Sequence, residues 1–223
     1  MVFGAGGGIG GALMEVLRDS QRFTRVIGFS RNGRPAIDLL SEASLQEAAA
    51  FAAVEGDIRL VVDATGFLHD ETHHPEKSWR EIDPVRMARS FALNAIGPAL
   101  IMKHVLPSLP REGRSVFASL SAKVGSIGDN RLGGWYSYRA SKAALNQLIH
   151  TASIELKRQR PEAICVALHP GTVDTSLAAP FHKTGLDIQS PKIAAERLMA
   201  VIEHLGAGDS GGFFDCRGKR LPW

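Results

Sequence analysis

The chain has 223 residues, a length that one hydrophobic core can serve, since single cores grow to ~250 residues. Its 44% apolar and 22% charged residues form an ordinary globular composition, which excludes a disordered tail and a coiled coil. Lys and Arg number 26 against 23 Asp and Glu, and the basic residues are scattered, so the net +3 marks solubility and not a nucleic-acid footprint.

In chain order, Val2-Phe3 is a very short apolar run before a glycine loop, and Ile9, Leu13, Val16 and Leu17 repeat at helical spacing behind it. So short a first strand falls below the usual ~5–6 residues, so the natural chain is expected to begin a few residues earlier or to carry a truncated strand. Arg25–Phe29 reads as a second strand, the alanine-rich Leu45–Ala53 as a helix and Leu60–Val62 as a third strand. Asp83-Pro84 pairs an N-cap with proline at the first helical position and opens a helix over Pro84–Leu106. Ser115–Leu120 is a strand, Tyr138–Leu156 a long helix, and Ala163–Leu168 a strand stopped at Pro170-Gly171. Ile193–Leu205 reads as a helix and Gly212–Phe214 as a last short strand. The alternation predicts a single α/β domain over 1–223, a Rossmann-type doubly wound parallel sheet with helices on both faces.

No run reaches the ~18 apolar residues of a membrane span. The N-terminus lacks a basic region and meets glycine by Gly4, and two cysteines, Cys165 and Cys216, make no disulfide framework. The expected compartment is the cytoplasm, with no membrane and no nucleic-acid partner. His69, His73 and His74 lie in a polar loop and are read as solvated, with a place at a substrate mouth as the alternative; no metal is expected.

Four places carry chemistry. Gly4-Ala5-Gly6-Gly7-Gly8-Ile9-Gly10 lies between a strand and an amphipathic helix, where small residues let the backbone approach a pyrophosphate and the helix N-terminus offers free N–H groups. After the second strand come Ser30 and Arg31, with Arg34 nearby; a hydroxyl and guanidiniums suit a 2′-phosphate where an NAD site usually has a carboxylate. Tyr138 and Lys142 stand one helical turn apart, so the ammonium can favour the phenolate of a group whose free pKa is near 10. Tyr136 has no such partner, because position 140 is alanine. Asn94 is polar in an apolar helix, and Pro98 lacks the N–H that would bond its carbonyl, which opens the helix for a water. Ser119 or Ser121, at a strand end, could face a ligand there.

Together these residues resemble the short-chain dehydrogenase/reductase family over essentially the whole chain. Gly4 through Gly10, with Gly4, Gly8, Ile9 and Gly10 as the contacts, is similar to its cofactor loop T-G-x-x-x-G-I-G, Phe3 replacing the threonine. Asp63-Ala64-Thr65-Gly66 stands where the family has N-N-A-G; the departure puts the asparagines' side-chain roles in doubt and leaves Ala64, Thr65 and Gly66 as cofactor contacts. Asp38, before Leu39, resembles the carboxylate that meets the adenine amino group, and Pro170-Gly171-Thr172-Val173-Asp174-Thr175 resembles P-G-x-x-x-T, with Pro170, Gly171, Val173 and Thr175 at the nicotinamide. Asn94, a serine, Tyr138 and Lys142 look like the catalytic set. Ser121 is taken as that serine, although the stretch to Gly125 is one residue longer than the common S-x-x-G; Ser119 and Ser126 are the alternatives. Val124 through Asn130, Trp135 through Lys142 and the Leu221-Pro222-Trp223 end are similar to the C-factor branch, whose founding protein is associated with intercellular signalling.

The resemblance implies hydride transfer between NADP (NAD being possible) and a small-molecule carbonyl or alcohol. Tyr138 would serve as acid or base, Ser121 as donor to the oxygen, Lys142 as holder of the nicotinamide ribose, and Asn94 as holder of a water leading to solvent. It also implies a homodimer or homotetramer built through the helices Pro84–Leu106 and Tyr138–Leu156. The alternative is a cofactor-binding regulatory or signalling protein with little turnover. His169, Trp135, Tyr136 and the lid segment Thr175–Gln189 are candidates for the pocket lining, and a short lid implies an open pocket.

Overall fold

The computed structural model describes residues 1–181 and 187–223. β1 (Val2–Phe3) runs into α1 (Gly8–Asp19), β2 (Gly28–Phe29), α2 (Glu42–Ala53) and β3 (Leu60–Asp63). Then come α3 (Pro84–Phe91), one π-helical turn (Ala92–Ile96) and α4 (Gly97–Val105). β4 (Ser115–Leu120), α5 (Tyr136–Gln159) and β5 (Ala163–His169) follow. β6 (Thr172–Val173), β7 (Ile188–Gln189), α6 (Pro191–His204) and β8 (Phe213–Asp215) complete the chain.

Six strands form one parallel sheet in the order β2-β1-β3-β4-β5-β8. The chain leaves β1 toward one edge and returns to build toward the other, so the strand order reverses between β1 and β3. In open α/β sheets the crevice outside the carboxyl ends at such a point is where ligands bind. Both faces are covered, as the near-continuous apolar runs require. Leu13 and Leu17 of α1 and Leu198 and Ile202 of α6 pack with Val116, Ala118 and Leu120 on one face. Leu45 of α2, Ile101 of α4 and Leu145 and Ile149 of α5 pack with Phe3, Phe29 and Phe117 on the other. Among the described residues no helix is long and apolar enough to cross a membrane.

Several helix and strand ends lie one to three residues from the sequence reading, as at α2, which starts at Glu42, and α5, which spans Tyr136–Gln159, and three departures have a structural cause or consequence. β2 pairs only through Gly28 and Phe29, not from Arg25, because two-residue β1 offers no longer partner. The helix expected over 84–106 is split into α3, the π turn and α4, with Pro98 two residues past the turn; removing one N–H from the ladder widens the helix there. The β6–β7 pair had no local signature, and it ties the Pro170-Gly171 loop to the start of α6. Of the lid segment, residues 182–186 lie outside the described residues.

Candidate active site

The glycine loop is shaped by backbone crowding. Gly4 has φ +79, and a Cβ there would stand 2.8 Å from the carbonyl oxygen of Ala64. A Cβ on Gly10 would lie 2.1 Å from the carbonyl oxygen of Gly4, so α1 can pack on the loop only with glycine at that place. Gly7 caps α1 without any side-chain hydrogen bond, and Gly6, Gly7 and Gly8 are exposed at its N-terminus. The first N–H groups of a helix have no internal partner, so this end presents open amides and the positive dipole end to an anion. That is a cradle for a pyrophosphate, and a dinucleotide fits it. Thr175 closes its far side: a Cβ on Gly8 would meet Thr175 Cγ2 at 2.7 Å. Gly171 takes φ +81, Val173 is buried, and the Pro170 carbonyl accepts from Gln189 Nε2 at 2.5 Å.

At the edge of the cradle Ser30 lies beside Gly6, 3.3 Å from where its Cβ would be. Arg31 and Arg34 are exposed and enter no ion pair among the described residues. Asp38 is exposed, with Oδ1 accepting from the Leu40 N–H at 2.9 Å, and Leu39 packs against Gly97.

At the end of β3 the turn Ala64-Thr65-Gly66 brings the next group together. A Cβ on Gly66 would be 3.7 Å from Lys142 Nζ and 3.9 Å from Asn94 Oδ1. Asn94 is fully buried in the π turn, and its amide is held on three sides. Oδ1 accepts from the Phe67 N–H at 2.7 Å, while Nδ2 donates to the Phe67 carbonyl at 2.8 Å and to Ser141 Oγ at 3.1 Å. Lys142 is buried and donates to the Leu120 carbonyl at 2.9 Å. Burial pushes its pKa down to about 8, against the pull of Asp63. Burial pushes Tyr138 the other way, up to about 12. The sequence suggested that Lys142 brings this phenol toward neutrality; desolvation is the stronger effect, since both groups lose charge when dried. Tyr138 is therefore a protonated phenol at neutral pH, able to give a proton.

Each candidate serine is held by a hydrogen-bond partner outside this set. Phe117, Ser119 and Ser121 share one side of β4 and its continuation, the side facing α5. Ser121 Oγ donates to Asn146 Oδ1 at 2.6 Å, with both residues buried, so its hydroxyl is engaged under α5. Ser119 Oγ donates to Asp63 Oδ2 at 2.7 Å, and Ser126 Oγ accepts from the Asp129 N–H at 3.1 Å. Gly125 is fixed against Lys142, its Cβ position 2.7 Å from Lys142 Cβ, and three residues before it stands Ala122. Ser121→Ala is expected to change kcat/KM by less than about threefold, because drawing the hydroxyl away would strand a buried Asn146 oxygen at ~1–3 kcal/mol. A loss of ~100-fold, the effect of removing an oxyanion donor, would show that the hydroxyl does swing out.

Two residues that matter here carried no local signal. Trp135 precedes α5 in a left-handed conformation, φ 55, with no capping side chain. The cap comes from Glu76 of the preceding loop: its carboxylate accepts from the backbone N–H of Ser137 at 3.1 Å and from the Ser137 hydroxyl, and its carbonyl accepts from the Trp135 N–H. A buried anion at a helix N-terminus satisfies open amides and the dipole together, and this one anchors the helix that carries Tyr138 and Lys142. The second is Asp63, taken up below. The same loop departs from its expected solvated state at His73, which is buried against the Phe67 ring with Nε2 3.4 Å from Ser90 Oγ, and burial lowers its pKa. His69 packs on Phe181, Phe181 on Trp135 and Trp135 edge-on to Tyr138, centroids 5.3, 5.0 and 6.1 Å apart, so a row of aromatic rings runs up to one side of the phenol. His169 is held neutral by burial, its pKa down to about 4.

The short chain dehydrogenase family profile matches residues 35–185. The C-signal protein of Myxococcus xanthus is 37% identical over 64% of this chain and 82% of its own length. The 1-hydroxy-2-glutathionyl-2-methyl-3-butene dehydrogenase of Rhodococcus sp. (strain AD45) is 32% identical over 85% of this chain and 79% of that protein. Among solved structures, the NADPH-bound carbonyl reductase from chicken fatty liver superposes with a TM-score of 0.84 over 100% of this chain and 98% of that one, at 24% identity. The carbonyl reductase Sniffer of D. melanogaster does so with a TM-score of 0.81, over the same shares of both chains, at 23% identity. At these identities the likeness of structure speaks for the fold.

Proposed function

The chain belongs to the short-chain dehydrogenase/reductase family and is an oxidoreductase of that type, and from this premise we propose that it is an NADP-dependent reductase of small-molecule carbonyls. The observation that carries the reading is the placement of Tyr138 one helical turn from Lys142 on α5, with the lysine Nζ beside Gly66 in the turn that meets the glycine loop. A nicotinamide dinucleotide bound in the cradle supplies the hydride.

The residues then divide the work. Gly6 to Gly8 and the N-terminus of α1 bind the pyrophosphate, with Ile9 and Gly10 setting the helix beneath it. Asp38 and Leu39 border the adenine, Ala64 to Gly66 the adenosine ribose side, and Pro170, Gly171, Val173 and Thr175 the nicotinamide amide. Lys142 holds the nicotinamide ribose and, as a cation, favours departure of the Tyr138 proton to the developing alkoxide. Asn94 fixes the turn over Lys142, and its carbonyl, lacking an α-helical donor because of Pro98, is open to a water that returns protons from solvent. The rings of Trp135, Phe181 and His69 line one side of the approach to the phenol. NADPH oxidation against aldehydes, ketones and quinones tests the reading.

Ser30 and the unpaired Arg31 support NADP over NAD, since an arginine at this edge offers charge-assisted hydrogen bonds to a 2′-phosphate. Arg31→Ala is expected to raise KM for NADPH about tenfold or more, roughly 1.4 kcal/mol per decade, and to leave KM for NADH unchanged. Equal changes for the two cofactors would remove Arg31 from the phosphate site.

Similarity to a protein named C-signal favours a second reading, cofactor binding in a regulatory or signalling role with little turnover. NADPH binding without consumption of any carbonyl would select it. We further propose a homodimer or homotetramer through α3–α4 and α5, where Val85, Ile96 and Ile154 are exposed apolar residues; light scattering reads the state directly.

A further inference from the structure

Asp63 ends β3 with its side chain wholly buried. A carboxylate in such a place is strongly unfavourable unless it is both hydrogen-bonded and paired. Its hydrogen bonds are complete: Oδ2 accepts from Ser119 Oγ at 2.7 Å, and Oδ1 accepts from the Thr65 N–H at 3.0 Å and the Thr65 hydroxyl at 2.5 Å. Hydroxyls and an amide supply no opposite charge. Asp63 enters no direct ion pair among the described residues, and the cation that shares its surroundings at longer range is Lys142, likewise buried. Its ammonium donates to the carbonyl of Leu120, the residue after the Ser119 that bonds Asp63, and it lies over Gly66, at the end of the turn that Asp63 begins.

We infer that Asp63 is the counter-charge of Lys142, a buried carboxylate that keeps the ammonium charged and seated beneath Tyr138. Asp63 touches neither substrate nor cofactor in this account; it is a positioning residue, and its functional consequence rests on the reductase reading above. Among the described residues the groups placed at the ammonium are neutral: the Leu120 carbonyl of β4 and, across Gly66, the Asn94 amide of the π turn. Burial alone drives the lysine toward its neutral form, and among the described residues Asp63 is the charge opposing that. Without it, a cation needed for proton transfer would be lost from the site at lower pH.

Thermal unfolding of Asp63→Asn, Lys142→Met and the double variant, without cofactor, tests the pairing. Each single change leaves one buried charge alone and lowers Tm; the double change removes both, and its loss is expected to be smaller than the sum of the two. Additive losses overturn the pairing. If Asp63→Asn alone does not fold, folding of the double variant supports the pairing and its failure overturns it. In turnover, Asp63→Asn is expected to move the alkaline limb of the kcat/KM profile to lower pH by about 1 unit, because Lys142 then sheds its proton earlier. A purely structural Asp63 would scale the whole profile and leave the limb in place, which overturns the positioning role. The unfolding cycle needs no substrate, so a failed reductase reading and a failed pairing are separately visible.

Discussion

Tyr138→Phe is expected to lower kcat by ~10²–10⁴, the range that a positioned proton donor contributes, while NADPH still binds. The change removes one oxygen and keeps the ring against Trp135, so the aromatic row and α5 persist. What disappears is the only phenol one turn from Lys142, and the other tyrosine, Tyr136, has alanine at that spacing. Burial pushes the Tyr138 pKa up to about 12, so the phenol stays protonated throughout the neutral range. Steady-state rates at saturating NADPH, with cofactor fluorescence as the binding control, read both halves of the expectation. Retention of more than about a tenth of the wild-type rate would assign the proton to another group.

Gly10→Ala is expected to abolish NADPH binding and to lower Tm by roughly 2–12 °C, from overpacking at ~1–3 kcal/mol and ~2–4 °C per kcal/mol in a domain of this size. Its Cβ would sit 2.1 Å from the Gly4 carbonyl, and the atoms it meets are backbone on both sides, with no side chain to swing away. To relieve the clash α1 must lift from the loop, which moves the amides of the cradle. Gly11→Ala is the control: its Cβ would meet the Ala5 carbonyl at an ordinary 3.5 Å, and alanine in a helix gains up to ~1 kcal/mol over glycine. Calorimetry with and without NADPH on the two variants checks the contrast. Equal behaviour would mean that the Gly4–Gly10 contact does not shape the site.

Chemistry written within a few residues was legible in the sequence. The glycine loop between strand and helix, the i, i+4 pair on α5, the Asp83-Pro84 helix start and the full length of β4 all follow from local spacing, and the alternation of elements carried the doubly wound sheet. The break at Pro98 was also written locally, although its outcome as a whole π turn was not. What stayed hidden depends on partners far along the chain. Nothing near Glu76 says that its carboxylate caps a helix 61 residues later. Nothing near Asp63 says that a lysine of α5 shares its burial. His73 reads as a polar-loop residue until Phe67 and Ser90 close over it. Ser121 was read by its place beyond a strand end, whereas the alternation of β4 continues one residue further and turns the hydroxyl to Asn146.

NADPH consumption by the wild-type protein, followed by the absorbance of the reduced nicotinamide against a panel of aldehydes, ketones and quinones, tests the carbonyl reductase reading most directly. Stoichiometric oxidation of NADPH with reduction of at least one carbonyl is the expected result. NADPH bound, as its fluorescence reports, yet consumed no faster than without protein across the whole panel would contradict it and leave the cofactor-binding reading in its place.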